Sequence, residues 1–164
     1  GILLVYLIMV AQFQSLRSPF IVMFTIPLAF TGGLLALLIF NKEISIIAMI
    51  GLILLVGIIV NNGIVLVDYT NQLMDRGMSC YDALTAAGPR RLRPILMTTL
   101  TTILGMLPMA LSRAEGSEMM QELSVAVIFG LALSTVVTLV FIPVLYMWMN
   151  DRRRKAKSTF NIDR

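Results

Sequence analysis

The chain has 164 residues, of which 58% are hydrophobic and 13% charged, with a mean hydropathy of +0.89 and a formal net charge of +4. Soluble domains carry about 25% charged residues, so a water-soluble globular domain is excluded and an integral membrane protein, or part of one, is expected. One cysteine, Cys80, and no histidine exclude an internal disulfide and a Cys/His metal cluster, and no cofactor is implied.

Gly1–Ala11 is an incomplete apolar run. It lacks the basic n-region and small-residue cleavage site of a signal peptide, so the expectation is a chain cut inside or just before a membrane helix. Phe20–Phe40 is the first complete span, with Pro27 expected to kink it and Ala29, Gly33 and Ala36 offering a small face beyond.

Ile44–Tyr69 follows a very short NKE turn and carries no charge until Asp68. It is longer than the roughly 20 apolar residues that cross a bilayer. Its middle holds two adjacent amides, Asn61 and Asn62, flanked by Gly57 and Gly63. At about 100° per residue, Gly57, Asn61 and Asp68 fall within roughly 40° of one another, a small and polar face expected to point at other helices. A side-chain amide at hydrocarbon depth must find a partner. Two readings stand side by side: the asparagines are interhelical glue, or they belong to an ion or proton pathway.

A loop is expected over 70–93, with a short surface helix opened by a capping box at Ser79 and Asp82 and stopped at Gly88-Pro89. The next span, Pro94–Leu111, contains Thr98, Thr99, Thr101 and Thr102. If its helix begins near Arg91, Pro94 sits harmlessly in the first turn. Arg91, Thr98, Thr102 and Gly105 then share a stripe about 60° wide, whereas Arg90 and Arg93 are expected to snorkel to the interface. Such threonines often bond back to the carbonyl four residues earlier. Leu123–Met149 completes the set, with Ala126, Gly130, Ser134 and Thr138 repeating every four residues as a small-residue stripe. A basic tail, 151–164, follows.

The fold expected is therefore all-α, a polytopic transmembrane bundle of four complete spans and a partial N-terminal one. Because spans alternate direction, the loops alternate sides. One side holds eleven basic residues, namely Arg17, Arg76, Arg90, Arg91, Arg93, Arg152, Arg153, Arg154, Lys155, Lys157 and Arg164, and the other only Lys42 and Arg113. By the positive-inside rule the 70–93 loop and the tail are cytoplasmic. The net positive charge is thus topological, or directed at membrane lipid, and nucleic acid is rejected as a partner. No paired carboxylates, nucleophile with a base, or phosphate loop is in view, so no enzyme is expected.

VGIIVNNGIVLVDYTNQLMDRG, then RRLRPILMTTLTTILGMLPMAL, then VFIPVLYMWM closely resemble the C-terminal membrane segment of resistance–nodulation–division (RND) permeases, in particular the hydrophobe/amphiphile, acriflavine-resistance branch. RLRPILMT followed by GxxP is the specific part. The resemblance covers nearly the whole chain, from the end of the eighth membrane helix to the twelfth. It implies the C-terminal part of a twelve-helix exporter of lipophilic compounds in the bacterial inner membrane, driven by proton influx. It also implies a homotrimer, built with the rest of the permease subunit and working with a periplasmic adaptor and an outer-membrane channel. The family's proton relay maps its arginine and threonine onto Arg91 and Thr98. Its lysine maps onto Asn61, a departure that leaves the counter-charge to Arg91 alone, and Asn61-Asn62 occupy the repeat-related place of the family's aspartate pair. Asp68 and Thr102 are secondary candidates. The alternatives are an RND relative that moves lipids or metal ions, and a non-transporting membrane assembly subunit, which the small-residue stripes would suit equally.

Overall fold

A computed structural model describes residues 1–14 and 16–162, with side chains as far as Asp151. All of its elements are helices: α1 (Ile2–Phe13), α2 (Arg17–Met23), α3 (Thr25–Ile39), α4 (Ile46–Asp75), α5 (Cys80–Leu111) and α6 (Glu118–Ile162). Four segments are long and apolar enough to cross a membrane: Arg17–Ile39, Ile46–Asp75, Cys80–Leu111 and Glu118–Asp151; Ile2–Phe13 is shorter. The basic side chains from Arg152 onward, assigned above to a tail, lie outside the described residues.

The first complete span is interrupted at a single residue, Phe24, whose backbone stays right-handed helical. Pro27 has no N–H for the carbonyl of Met23, and its ring crowds that carbonyl, so α2 stops at Met23 and α3 restarts at Thr25. At the end of α3 the chain reverses through Asn41, at φ 52°. The Lys42 N–H reaches back to Leu37 O at 2.9 Å and that of Asn41 to Leu38 O at 3.2 Å, a Schellman closure with asparagine at the left-handed position. Ser45 then caps α4, its Oγ accepting from the Ala48 N–H at 3.1 Å while donating to Glu122 of α6. With Lys42 Nζ donating to Gln121 Oε1 at 2.8 Å, the α3–α4 turn is clipped to the start of α6.

At the opposite end the expected long loop is absent. Helix α4 runs on to Asp75, and only residues 76–79 separate it from α5. Gly77, at φ 94°, closes α4, and Ser79 caps α5 by accepting the Asp82 N–H at 3.2 Å. The capping box is where the sequence places it, but Gly88-Pro89 does not stop the helix: Cys80–Leu111 is continuous through Pro89, Pro94 and Pro108. Pro94 therefore lies mid-helix and not in a first turn. The reason is tertiary. Ala83 and Ala87 are fully buried with Leu73 of α4, and packing along this hairpin outweighs the local cost of the prolines.

The core lies where α3, α4 and α6 meet. Ala29, Leu37, Leu52, Leu55, Ile59, Ala126 and Leu131 form one buried cluster. A second, around Val22, Ile26, Val60, Leu66, Val67, Ile95 and Ile142, fills the other half. Both small-residue faces do what their spacing implies. Ala29, Gly33 and Ala36 are buried in α3, and Ala126, Gly130, Ser134 and Thr138 are buried in α6. Gly33 and Gly130 mark the crossing: a Cβ on Gly130 would stand 3.2 Å from Gly33 Cα and 2.4 Å from Leu55 Cδ2. Helix α5 is different. Only 11% of its most apolar window is buried, against at least half in the other three spans.

Candidate coupling site

On α4 the bundle takes the stripe Ile59, Asn62, Gly63, Leu66 and Thr70, all buried. Gly63 is there because the neighbours are close: a Cβ would meet Val22 Cγ1 at 3.2 Å and Ile142 Cδ1 at 3.4 Å. The polar face expected to point at other helices, Gly57–Asn61–Asp68, lies off the buried stripe of α4. Gly57 has nothing within 4 Å of an added Cβ, and Asn61 is exposed. The stripe carrying Leu52, Leu55, Ile59 and Leu66 buries far more apolar volume, so those residues set the rotation of the helix. Asn61 and Gly57 line instead an apolar groove of about 510 Å³ between α1, α2–α3 and α4, walled by Val5, Met23, Ile26 and Phe30. Asp68 is half-buried and accepts from Gln72 Nε2 at 2.9 Å.

Helix α5 presents a ridge at four-residue steps, Ala83, Ala87, Arg91, Ile95 and Thr99, toward the rest of the bundle; all but half-buried Arg91 are buried. Thr98 lies off that ridge and is exposed. Its hydroxyl donates to Pro94 O at 3.1 Å, and that of Thr102 to Thr98 O at 2.8 Å, the backward ladder open to threonines in apolar helices. The threonine that meets another helix is Thr99, whose Oγ1 lies 3.2 Å from Thr135 Oγ1 of α6. Sequence reasoning passed over Thr99; the signal available was its four-residue spacing from Ile95 and the buried alanines.

Arg91 does not sit among the threonines. Its guanidinium lies over the ring of Tyr69, 4.6 Å from the centroid. Arg90, exposed, donates from Nη1 to Tyr69 Oη at 2.8 Å. A second polar group also escaped the sequence. Asn71 Nδ2 donates to Ser18 Oγ at 3.2 Å, Tyr146 O–H donates to Asn71 Oδ1, and Met74 Sδ is 3.3 Å from that phenol. It ties α2, α4 and α6 together at the end of the bundle near the α4–α5 turn. Among the described residues, no fully buried side-chain nitrogen or oxygen lacks a partner, as an apolar solvent demands.

Helices of membrane length, small-residue crossings and polar side chains on apolar spans define a polytopic helical membrane protein. Residues 1–150 match the AcrB/AcrD/AcrF family. The chain belongs to that family and is part of an RND permease. It is 40% identical over 154 residues to multidrug resistance protein MdtC of Erwinia tasmaniensis, covering 93% of this chain and 15% of that protein. It is also 40% identical over 160 residues to swarming motility protein SwrC of Bacillus subtilis, covering 97% of this chain and 15% of that one. Its fold matches the crystal structure of a heavy metal efflux pump with a TM-score of 0.82 and 31% identity, over 92% of this chain and 14% of the pump. The chain thus spans about 15% of the length of the curated relatives it matches.

Proposed function

We propose that this chain is the membrane-embedded coupling segment of a proton-driven RND exporter of lipophilic compounds, with Arg91, Thr98, Asn61 and Asn62 in the coupling path and Asp68 and Thr102 beside it. The observation that carries this reading is the exposure of Asn61 and Thr98 on the middle of apolar spans. An amide facing hydrocarbon is costly, so the face that bears it belongs against further helices of the subunit, where an intramembrane carboxylate would lie. A proton crossing 100 mV releases about 2.3 kcal/mol. To use it, helix arrangement must depend on whether that carboxylate is charged. A fixed guanidinium nearby supplies the dependence: it favours the ionised form and loses its partner on protonation. Asn61 cannot carry charge, but it can donate to the carboxylate and follow the change. The names of the multidrug relatives support lipophilic substrates; the subunit works as a transporter and not an enzyme, as a homotrimer with an adaptor and an outer-membrane channel. Its C-terminus is cytoplasmic.

In the full-length permease, Arg91→Ala is expected to abolish export while amount and oligomeric state stay near normal, measured by dye efflux and native electrophoresis. Normal export by this variant, or loss through misfolding alone, would make Arg91 structural. A second reading, export of metal ions, is favoured by the likeness to the heavy metal pump. Protection of growth against metal salts but not against dyes would select it.

A further inference from the structure

Two arginines of α5 converge on one ring of α4. The Arg91 guanidinium is 4.6 Å from the Tyr69 centroid, inside the roughly 6 Å reach of a cation–π contact. Arg90 donates to the phenol oxygen of the same ring at 2.8 Å. The ring cannot drift, because Tyr69 packs against the buried Leu73, Ala83 and Ala87. The acid next in sequence, Asp68, is occupied with Gln72. The contact Arg91 makes is therefore with a neutral face. A desolvated carboxylate would hold a guanidinium far more tightly and cancel its charge. A ring orients it, leaves its charge intact and can be outcompeted.

We propose that Tyr69 is the positioning residue for Arg91: its ring keeps the guanidinium on the α4–α5 hairpin while the carboxylate it serves is protonated, and yields it when that carboxylate ionises. This rests on the coupling role proposed above for Arg91. The geometry makes the ring face, and not the hydroxyl, the working part. The hydroxyl serves Arg90, which is exposed, and loss of that bond leaves the ring in its packing.

The test uses the full-length permease in inverted membrane vesicles energised by a proton gradient, with a lipophilic fluorescent dye as the exported probe. Tyr69→Phe keeps the face and is expected to retain the maximal rate within about twofold. Tyr69→Leu keeps apolar volume without the face and is expected to lower the maximal rate about five- to tenfold, with an unchanged KM for the dye. Tyr69→Met serves as a second variant without a ring. The proposal is overturned if the ring-less variants match wild type, if Tyr69→Phe falls as far as Tyr69→Leu, or if only KM changes. It is also overturned if both ring-less variants fail to accumulate while Tyr69→Phe does, because the ring is then structural. Failure of the coupling role itself reads out separately, as normal export by Arg91→Ala with Tyr69 intact.

Discussion

At the scale of single residues, equal glycines have unequal consequences. Gly130 sits where α3 and α6 nearly touch, with Gly33 N and Cα at 3.3 and 3.2 Å from an added Cβ. The Leu55 methyl at 2.4 Å can rotate away, but the Gly33 backbone cannot. Gly130→Val is expected to lower stability by about 1–3 kcal/mol, seen as a lower melting temperature of the detergent-solubilised protein. Gly105 is also mid-helix, yet nothing lies within 4 Å of its would-be Cβ and its φ is not positive. Gly105→Ala removes backbone freedom from the unfolded chain and is expected to raise stability by about 0.5–1 kcal/mol. Similar melting shifts for the two variants would contradict this account of the α3–α6 crossing.

At the scale of elements, α5 is the helix least secured by apolar burial, so its few polar contacts carry more weight. The Thr99–Thr135 pair is the buried hydroxyl contact between α5 and α6. Thr99→Val leaves the Thr135 hydroxyl without its partner and is expected to cost about 0.6–1.7 kcal/mol, the range of interhelical hydrogen bonds in membranes. The double variant Thr99→Val with Thr135→Val leaves no orphan and is expected to recover part of that loss. Unfolding in mixed micelles measures the cycle, and strictly additive losses would mean the two hydroxyls do not interact. Thr98→Val, whose hydroxyl bonds within its own helix, is expected to leave stability within about 0.5 kcal/mol of wild type.

At the scale of the whole molecule, orientation is expected from the asymmetry of basic residues: Arg76 lies in the α4–α5 turn, Arg90, Arg91 and Arg93 in the half of α5 nearer it, and Lys42 and Arg113 at the other end. Cys80, the lone thiol of these 164 residues, opens α5 at that turn and is half-buried, so with cysteines elsewhere in the permease replaced it reports on one surface alone. A membrane-impermeant maleimide is expected to label it in inside-out vesicles and to leave it untouched in intact spheroplasts. Labelling from outside would reverse every loop and place Arg91 at the opposite face of the membrane from the one the coupling reading requires.

The sequence by itself determined the class, the number of spans and the small-residue crossings. Long uncharged runs have one stable arrangement in lipid, where every backbone group must be bonded within its own helix. Glycines and alanines at four-residue steps leave a groove that another helix fills, which is why Ala126, Gly130, Ser134 and Thr138 are all inside. Helix rotation and helix ends were decided only by the tertiary structure. Asn61 and Asn62 are neighbours, and local pattern offers no reason to bury one and expose the other; the leucines of α4 packing on α3 and α6 settle it, because they bury more area than a glycine–asparagine face can. Likewise Gly88-Pro89 reads locally as a stop, yet Ala83 and Ala87 packed on Leu73 carry α5 through it. Tyr69 became a partner of Arg90 and Arg91 only once the short α4–α5 turn folded them side by side, a contact between residues on different helices that no helical periodicity encodes.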